Sequence, residues 1–184
     1  MRFLTPVLLV VLLGGILVSV SGRGDWRTAS RESAGIAPDP ADTSEAVLHV
    51  YGADAWGWRG WFAIHTWIAA KRKDEEHYTL YDVVGWRGYS GRQVMGIHRD
   101  IPDRHWYGAR PRLLKEHRGV SAESLIDAVD AAARLYPWKK TYRAFPGPNS
   151  NTFIAWIALR VPELELELPF SAIGSGFIER AEKM

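Results

Sequence analysis

Residues 61–71 read WFAIHTWIAAK, and their alternation constrains the fold of this chain more than any other feature. Phe62, Ile64, Thr66 and Ile68 form one mostly apolar face, while Trp61, Ala63, His65, Trp67, Ala69 and Lys71 form a more mixed one. A period of two predicts a β-strand, because successive side chains of an extended chain point to opposite sides. Residues 46–52, AVLHVYG, alternate in the same way and predict a strand before it. The charged residues 72–76 read as a solvated hairpin loop leading into a third strand over residues 77–85. Residues 94–98 and 113–117 are weaker strand candidates, separated by a loop over 99–111 rich in Arg, Asp, Trp and His.

Further on the period becomes helical. Over residues 121–137, Ser121 reads as an N-cap, Leu125, Ile126, Val129 and Ala133 share one face, and Pro137 is a stop. Pro146-Gly147-Pro148 predicts a tight turn. From Asn149 or Ser150 a second helix runs, burying Phe153, Ile154 and Ile157 and ending before Pro162. Residues 163–169, ELELELP, predict a half-exposed strand with Leu164, Leu166 and Leu168 inward. Strands and two helices that do not alternate regularly give an α+β domain, an antiparallel sheet packed on two main helices.

The chain has 184 residues, enough for one domain with a sizeable core. It has no cysteine, which excludes disulfides, thiolate metal sites, iron–sulfur clusters and a Cys nucleophile. Lys and Arg total 23 against 21 acids, without clustering, so no nucleic-acid partner is expected. Of nine tryptophans, six fall between Trp56 and Trp106. Core packing is expected for most of them; the alternative for Trp56, Trp58, Trp61 and Trp86 is a sugar or peptide groove. Gly57-Trp58-Arg59-Gly60 recurs as Gly85-Trp86-Arg87-Gly88, each beside a strand, and predicts two similar turns.

Residues 1–22 carry an uncharged apolar stretch, residues 4–20, preceded by Arg2. It reads as a signal peptide or a membrane anchor forming an apolar helix, with Ser19-Val20-Ser21 as a small-x-small cleavage pattern. Arg23, Arg27 and Arg31 follow it, but short N-terminal tails usually stay inside, so the domain is expected outside the cytoplasm. Residues 23–45 lack apolar periodicity and read as a linker or loosely draped arm; residues 46–184 form the folded domain.

Ser150 lies after the Pro-Gly-Pro turn at the start of an apolar helix, where free N–H groups and the helix dipole suit a nucleophile and its oxyanion. His65 sits mid-strand among aromatics. A hairpin centred near Asp74 sets residues 81–83 across from His65, and Asp82 is the chemically preferred orienter. His98, Asp100, Asp103 and His105 lack a recurring metal-ligand spacing, and neither a metal nor a cofactor is expected. Arg104, Arg110 and Arg143 suit a carboxylate or phosphate ligand, or pairing with the acidic residues of 163–169.

HTWIA from His65 and NSNTF from Asn149 resemble the His-T-x-I and N-C-N-T-F signatures of circularly permuted papain-like proteins. These include the PPPDE deubiquitinase and deSUMOylase peptidases and, more distantly, the lecithin-retinol acyltransferase and permuted NlpC/P60 families. The resemblance implies that fold, with His65 as base and Ser150 where the nucleophile stands; for the third member the hairpin offers Asp82, or Tyr81 or Val83 if strand parity places them on the face of His65. Trp67, Asn149, Asn151 and Arg110 are the residues expected to touch substrate. Ser150 replaces the family's Cys, and a serine needs a base that takes its proton during attack. The longer pattern GWRGWFAIHTWIAAK, GARP and PGPNSNTF resembles a bacterial family of unknown function with an N-terminal membrane segment, over residues 46–175. It implies an inner-membrane or periplasmic protein. Two functions follow as expectations: a Ser-His hydrolase or acyltransferase acting on an amide or ester, or a non-catalytic module holding an envelope peptide or glycan.

Overall fold

A computed structural model describes residues 25–181. Five strands form one antiparallel sheet: β1 Val47–Asp54, β2 Ile64–Lys71, β3 Thr79–Val83, β4 Met95–Arg99 and β5 Arg112–Arg118. Their order is β4-β3-β2-β1-β5, so the first four make a meander and β5 returns to pair with β1. With helices on one face, the domain is α+β as the sequence pattern predicts.

Alternation along the strands divides two cores. Leu48, Val50, Ile68, Ala70, Tyr81 and Val83 face α1, Gly119–Arg134, and α2, Ser150–Arg160. Leu125, Ile126, Val129, Phe153, Ile154 and Ile157 fill that main core from the helix side, at the spacing the sequence sets out. The indole of Trp156 donates to the Ala132 carbonyl at 3.0 Å and joins the two helices. On the opposite face Tyr51, Trp67, Ala69, Leu80 and Val84 make a smaller core with Trp106. A short helix, α3 Phe177–Ala181, closes the described chain.

Three local expectations are corrected. Ser121 lies inside the first turn of α1 and its hydroxyl donates back to the Arg118 carbonyl, so it does not cap the helix. Residues 163–169 pair with no strand: Pro162–Leu164 is a 3-10 turn and Glu165 has a positive φ of 45°. Leu164 is nonetheless buried, and Leu166 and Leu168 pack on the main core. Their alternation reports which side chains face inward, without requiring a partner strand. Lys115 bonds Glu165 at 3.3 Å, whereas Arg104 and Arg143 have no ion pair to this segment among the described residues. The apolar stretch 4–20 lies outside the described residues, and no described helix is long and apolar enough to cross a membrane.

The described part of the 23–45 arm follows the second face of the sheet. The buried Asp103 carboxylate accepts from Ser33 Oγ at 2.7 Å and from the backbone N–H of Ile36 and Ala37 at 2.5 and 3.2 Å. Backbone bonds from Ala34 to Asp103, His105 to Glu32 and Gly108 to Ser30 continue the contact. Ile36 and Ala37 thereby cover the second core. Asp103→Ala leaves two arm N–H groups unpaired, and the expected loss is about 2–4 kcal/mol in urea unfolding. Limited proteolysis of that variant cuts first within residues 30–38.

Candidate functional site

The cleft forms at one end of the sheet, where β1 and β3 finish and β2 and β4 begin. Both G-W-R-G segments sit here as 3-10 turns, Gly57–Trp61 and Gly85–Ser90, and neither contains a buried residue. They line a cleft of about 290 Å³ with Trp56, Trp58, Phe62, Trp86, Trp106 and Phe145. Trp58 and Trp61 are each 57 % exposed and Trp86 is 42 % exposed, which corrects the expectation that most of these rings pack in the core. A turn too short to bury a face projects its ring outward instead. Arg59 lines the cleft, while no Asp or Glu among the described residues does. Its guanidinium lies 6.0 Å from the Trp58 ring and opposes the effect of burial, which pushes the Tyr142 phenol up.

His65 reaches the cleft from the face of the sheet opposite the helices. It pairs with Ala53, a residue of the second core, and its ring stacks on Trp106 with centroids 3.5 Å apart and planes 8° from parallel. Its Nε2 is buried without a hydrogen-bond partner. Burial holds this imidazole well below the usual histidine range, and the Arg104 and Arg87 guanidiniums push the same way. His65 is therefore neutral at pH 7.

Asp82 shares the face of His65 but serves other partners. The β2–β3 register pairs Ile68 with Tyr81 and Ala70 with Thr79; continued to the cleft end, it sets Val84 across from His65 and Asp82 across from Trp67. The hairpin is centred half a residue beyond Asp74, and that shift changes the pairing. Arg87 grips the buried Asp82 carboxylate through both nitrogens, at 2.5 and 2.9 Å, and Arg104 lies 3.8 Å away. Arg104 also bonds Asp100, and His98 stands 3.9 Å from Asp82 and 3.7 Å from Asp100. The two related turns thus use their arginines differently: Arg87 is an internal counter-ion and Arg59 faces the cleft.

Ser150 enters from the helix side as the first residue of α2. Asn149 is the N-cap, in a reciprocal capping box with Thr152. Its amide also donates to the carbonyls of Ala144 and Ile173, each at 3.0 Å. Gly174, at φ 98°, lets that amide sit against its backbone, since a Cβ there would meet Asn149 Nδ2 at 2.3 Å. Asn151 accepts from Thr66 Oγ1 and donates to the Ile64 and Ile173 carbonyls. Both asparagine side chains are therefore engaged by the fold, although both residues line the cleft.

His65 and Ser150 line the same cleft, and no hydrogen bond joins them. Trp67 is buried, donates to the Pro102 carbonyl and lies outside the lining, as does the exposed Arg110. Trp106, Phe62, Tyr142 and Phe145 were not legible as site residues; His65, Asn149, Ser150 and Asn151 and the groove alternative for Trp56, Trp58 and Trp86 did point to this end of the sheet.

A family model described as protein of unknown function (DUF3750) matches residues 45–177. No curated protein and no solved structure matches the chain.

Two buried imidazoles make stability depend on pH. His49 is also lowered, chiefly by burial, while Glu116 at 2.6 Å opposes the shift. Both take up a proton less readily in the folded chain than in the unfolded one, which does so near pH 6.5. Their contribution is full above that pH and is lost as pH falls. His65→Phe keeps a ring against Trp106 and removes one titration, so its urea midpoint declines less between pH 7 and 5 than that of the wild type.

Proposed function

The chain belongs to the DUF3750 family of proteins of unknown function, and we propose that its aromatic cleft binds an anionic peptide or glycan of the cell envelope without turning it over. The observation that carries this reading is the set of exposed rings around a cleft with one guanidinium and no carboxylate among its described lining. Trp58, Phe62 and Trp86 leave apolar area in water that a flat ligand would cover, and such contiguous patches mark interaction sites. Arg59 supplies the charge such a ligand needs. The apolar residues 4–20 support a membrane-associated or periplasmic location, with residues 4–20 as anchor or signal and the domain outside the cytoplasm.

A papain-like arrangement is supported by the abutment of α2 on β2: Asn151 bonds on both sides of His65, to Ile64 and Thr66. The catalytic reading takes its support from the shared cleft and the neutral imidazole, which is the form a general base requires. Against it stand the alternation of β2, which turns His65 away from the helix side, and the absence of a bond to Ser150 among the described residues. The missing orienting partner on His65 Nε2 weighs the same way.

Soluble peptidoglycan fragments, which join sugars to acidic peptides, are the probe. Titration followed by tryptophan fluorescence should saturate, and Trp58→Ala or Trp86→Ala should weaken binding by about tenfold, roughly 1.4 kcal/mol. Ser150→Ala should bind like the wild type. A fluorophosphonate that labels the wild type but neither Ser150→Ala nor His65→Ala would replace the binding reading with the hydrolase one.

A further inference from the structure

The aromatic end of the domain is also the end at which the described chain, from residue 25, begins. The chain enters β1 at the opposite end of the sheet, beside the charged loop 72–76. Followed backwards, the arm passes Tyr78, whose hydroxyl bonds the Pro38 carbonyl, then Asp103, and then Tyr107 and Gly108. Arg31 covers the Tyr107 ring at 4.3 Å and bonds the Trp26 carbonyl. Tyr107 in turn meets two rings that line the cleft, Trp56 at 5.9 Å and Trp86 at 4.9 Å. The route from residue 45 back to residue 26 therefore runs the length of the sheet and finishes at the cleft.

One feature of the sequence and two of the described surface bear on what this end faces. Residues 4–20 contain no charge, and as a helix would span about 26 Å, close to the hydrocarbon thickness of a bilayer. The cleft rim carries outward-facing Trp58, Phe62, Trp86, Tyr89 and Phe145, with Tyr89 94 % and Phe145 76 % exposed. Tryptophan, tyrosine and phenylalanine with a guanidinium is the composition that partitions to headgroup depth. The far end differs: Arg72 pairs there with Glu123 and Asp127, and Arg118 with Glu45 and Glu116, a set of satisfied charges suited to water.

We propose that the aromatic rim is a bilayer-docking surface, which seats the mouth of the cleft in the headgroup region of an anionic membrane. While the cleft is empty, Trp58, Phe62, Trp86, Tyr89 and Phe145 enter the interface and Arg59 meets lipid phosphate; a bound ligand replaces lipid at Trp58, Phe62, Trp86 and Arg59, and Tyr89 and Phe145 stay inserted. The arm, pinned by Asp103, sets the orientation. The cleft then takes its ligand from the membrane surface and is closed to bulk solution. This rests on the reading of residues 4–20 as a membrane segment.

The chain has no cysteine, so a single introduced one carries a fluorophore at a chosen site. The full chain is reconstituted in vesicles of phosphatidylcholine and phosphatidylglycerol in equal parts, with a nitroxide-bearing lipid as quencher. Labels at Tyr89→Cys and Phe145→Cys should be quenched at least about threefold more than one at Val120→Cys, which is 89 % exposed at the far end. Arg59→Gln should reduce rim quenching, and replacing phosphatidylglycerol with phosphatidylcholine should reduce it too. If the chain floats with the vesicles and the rim labels are quenched no more than the Val120→Cys label, the docking surface is wrong and the membrane segment stands. If the chain does not float with the vesicles, both are wrong.

Discussion

The amide of Asn151 is the joint on which this architecture turns. Buried at the first turn of α2, it accepts from Thr66, donates to Ile64 in β2, and donates to Ile173 in the C-terminal loop. One side chain thus ties a helix N-terminus, the strand next to β1 and the segment that closes over both. The two bonds to β2 are shielded from water, where losing a partner costs the desolvation of the group left behind. Asn149 repeats the device one turn-position earlier, holding residues 144 and 173 while capping the helix. The floor of the cleft is consequently rigid, and the asparagines that shape it have little bonding capacity left for a ligand.

Strand alternation then decides what the cleft can do. Thr66 turns toward the helix and its neighbour His65 must turn away, onto Trp106 and toward the Arg87 and Arg104 guanidiniums. Burial keeps the imidazole neutral, and those cations, themselves paired with Asp82 and Asp100, push the same way. His65 and Ser150 approach one cleft from opposite sides of a sheet, in contrast to a base and nucleophile sharing a proton. What remains open to a ligand is chiefly aromatic, with Arg59 as its charge.

The parts of the fold that were legible are those with a strong local period. The Pro-Gly-Pro turn and Asn149 or Ser150 announced the start of α2, and Phe153, Ile154 and Ile157 its buried side, because capping and amphipathicity act within a few residues. The apolar even positions of residues 61–71 likewise foretold the helix-facing side of β2. The side taken by His65 follows from that same pattern, and the motif resemblance located the cleft that His65 and Ser150 both line. Residues 163–169 mislead for a physical reason: their leucines do face inward, but the 3-10 turn at Pro162–Leu164 and the positive φ of Glu165 break the extended backbone that a strand needs. The tryptophans of the two G-W-R-G turns mislead because hydrophobicity alone does not say whether a turn is deep enough to bury a ring. The half-residue displacement of the β2–β3 hairpin, which sets Asp82 across from Trp67 and Val84 across from His65, rests on loop geometry that composition does not encode.

The central claim is that binding occurs at the aromatic end of the sheet. Its most direct measurement is the indole N–H spectrum of the 15N-labelled chain during titration with peptidoglycan fragments, since the nine tryptophans are distributed over the whole domain. The account predicts that the resonances of Trp56, Trp58, Trp86 and Trp106 move together and saturate, while those of Trp138 and Trp156, packed between the helices, stay in place. Shifts confined to Trp138 and Trp156, or none at saturating ligand, would contradict it.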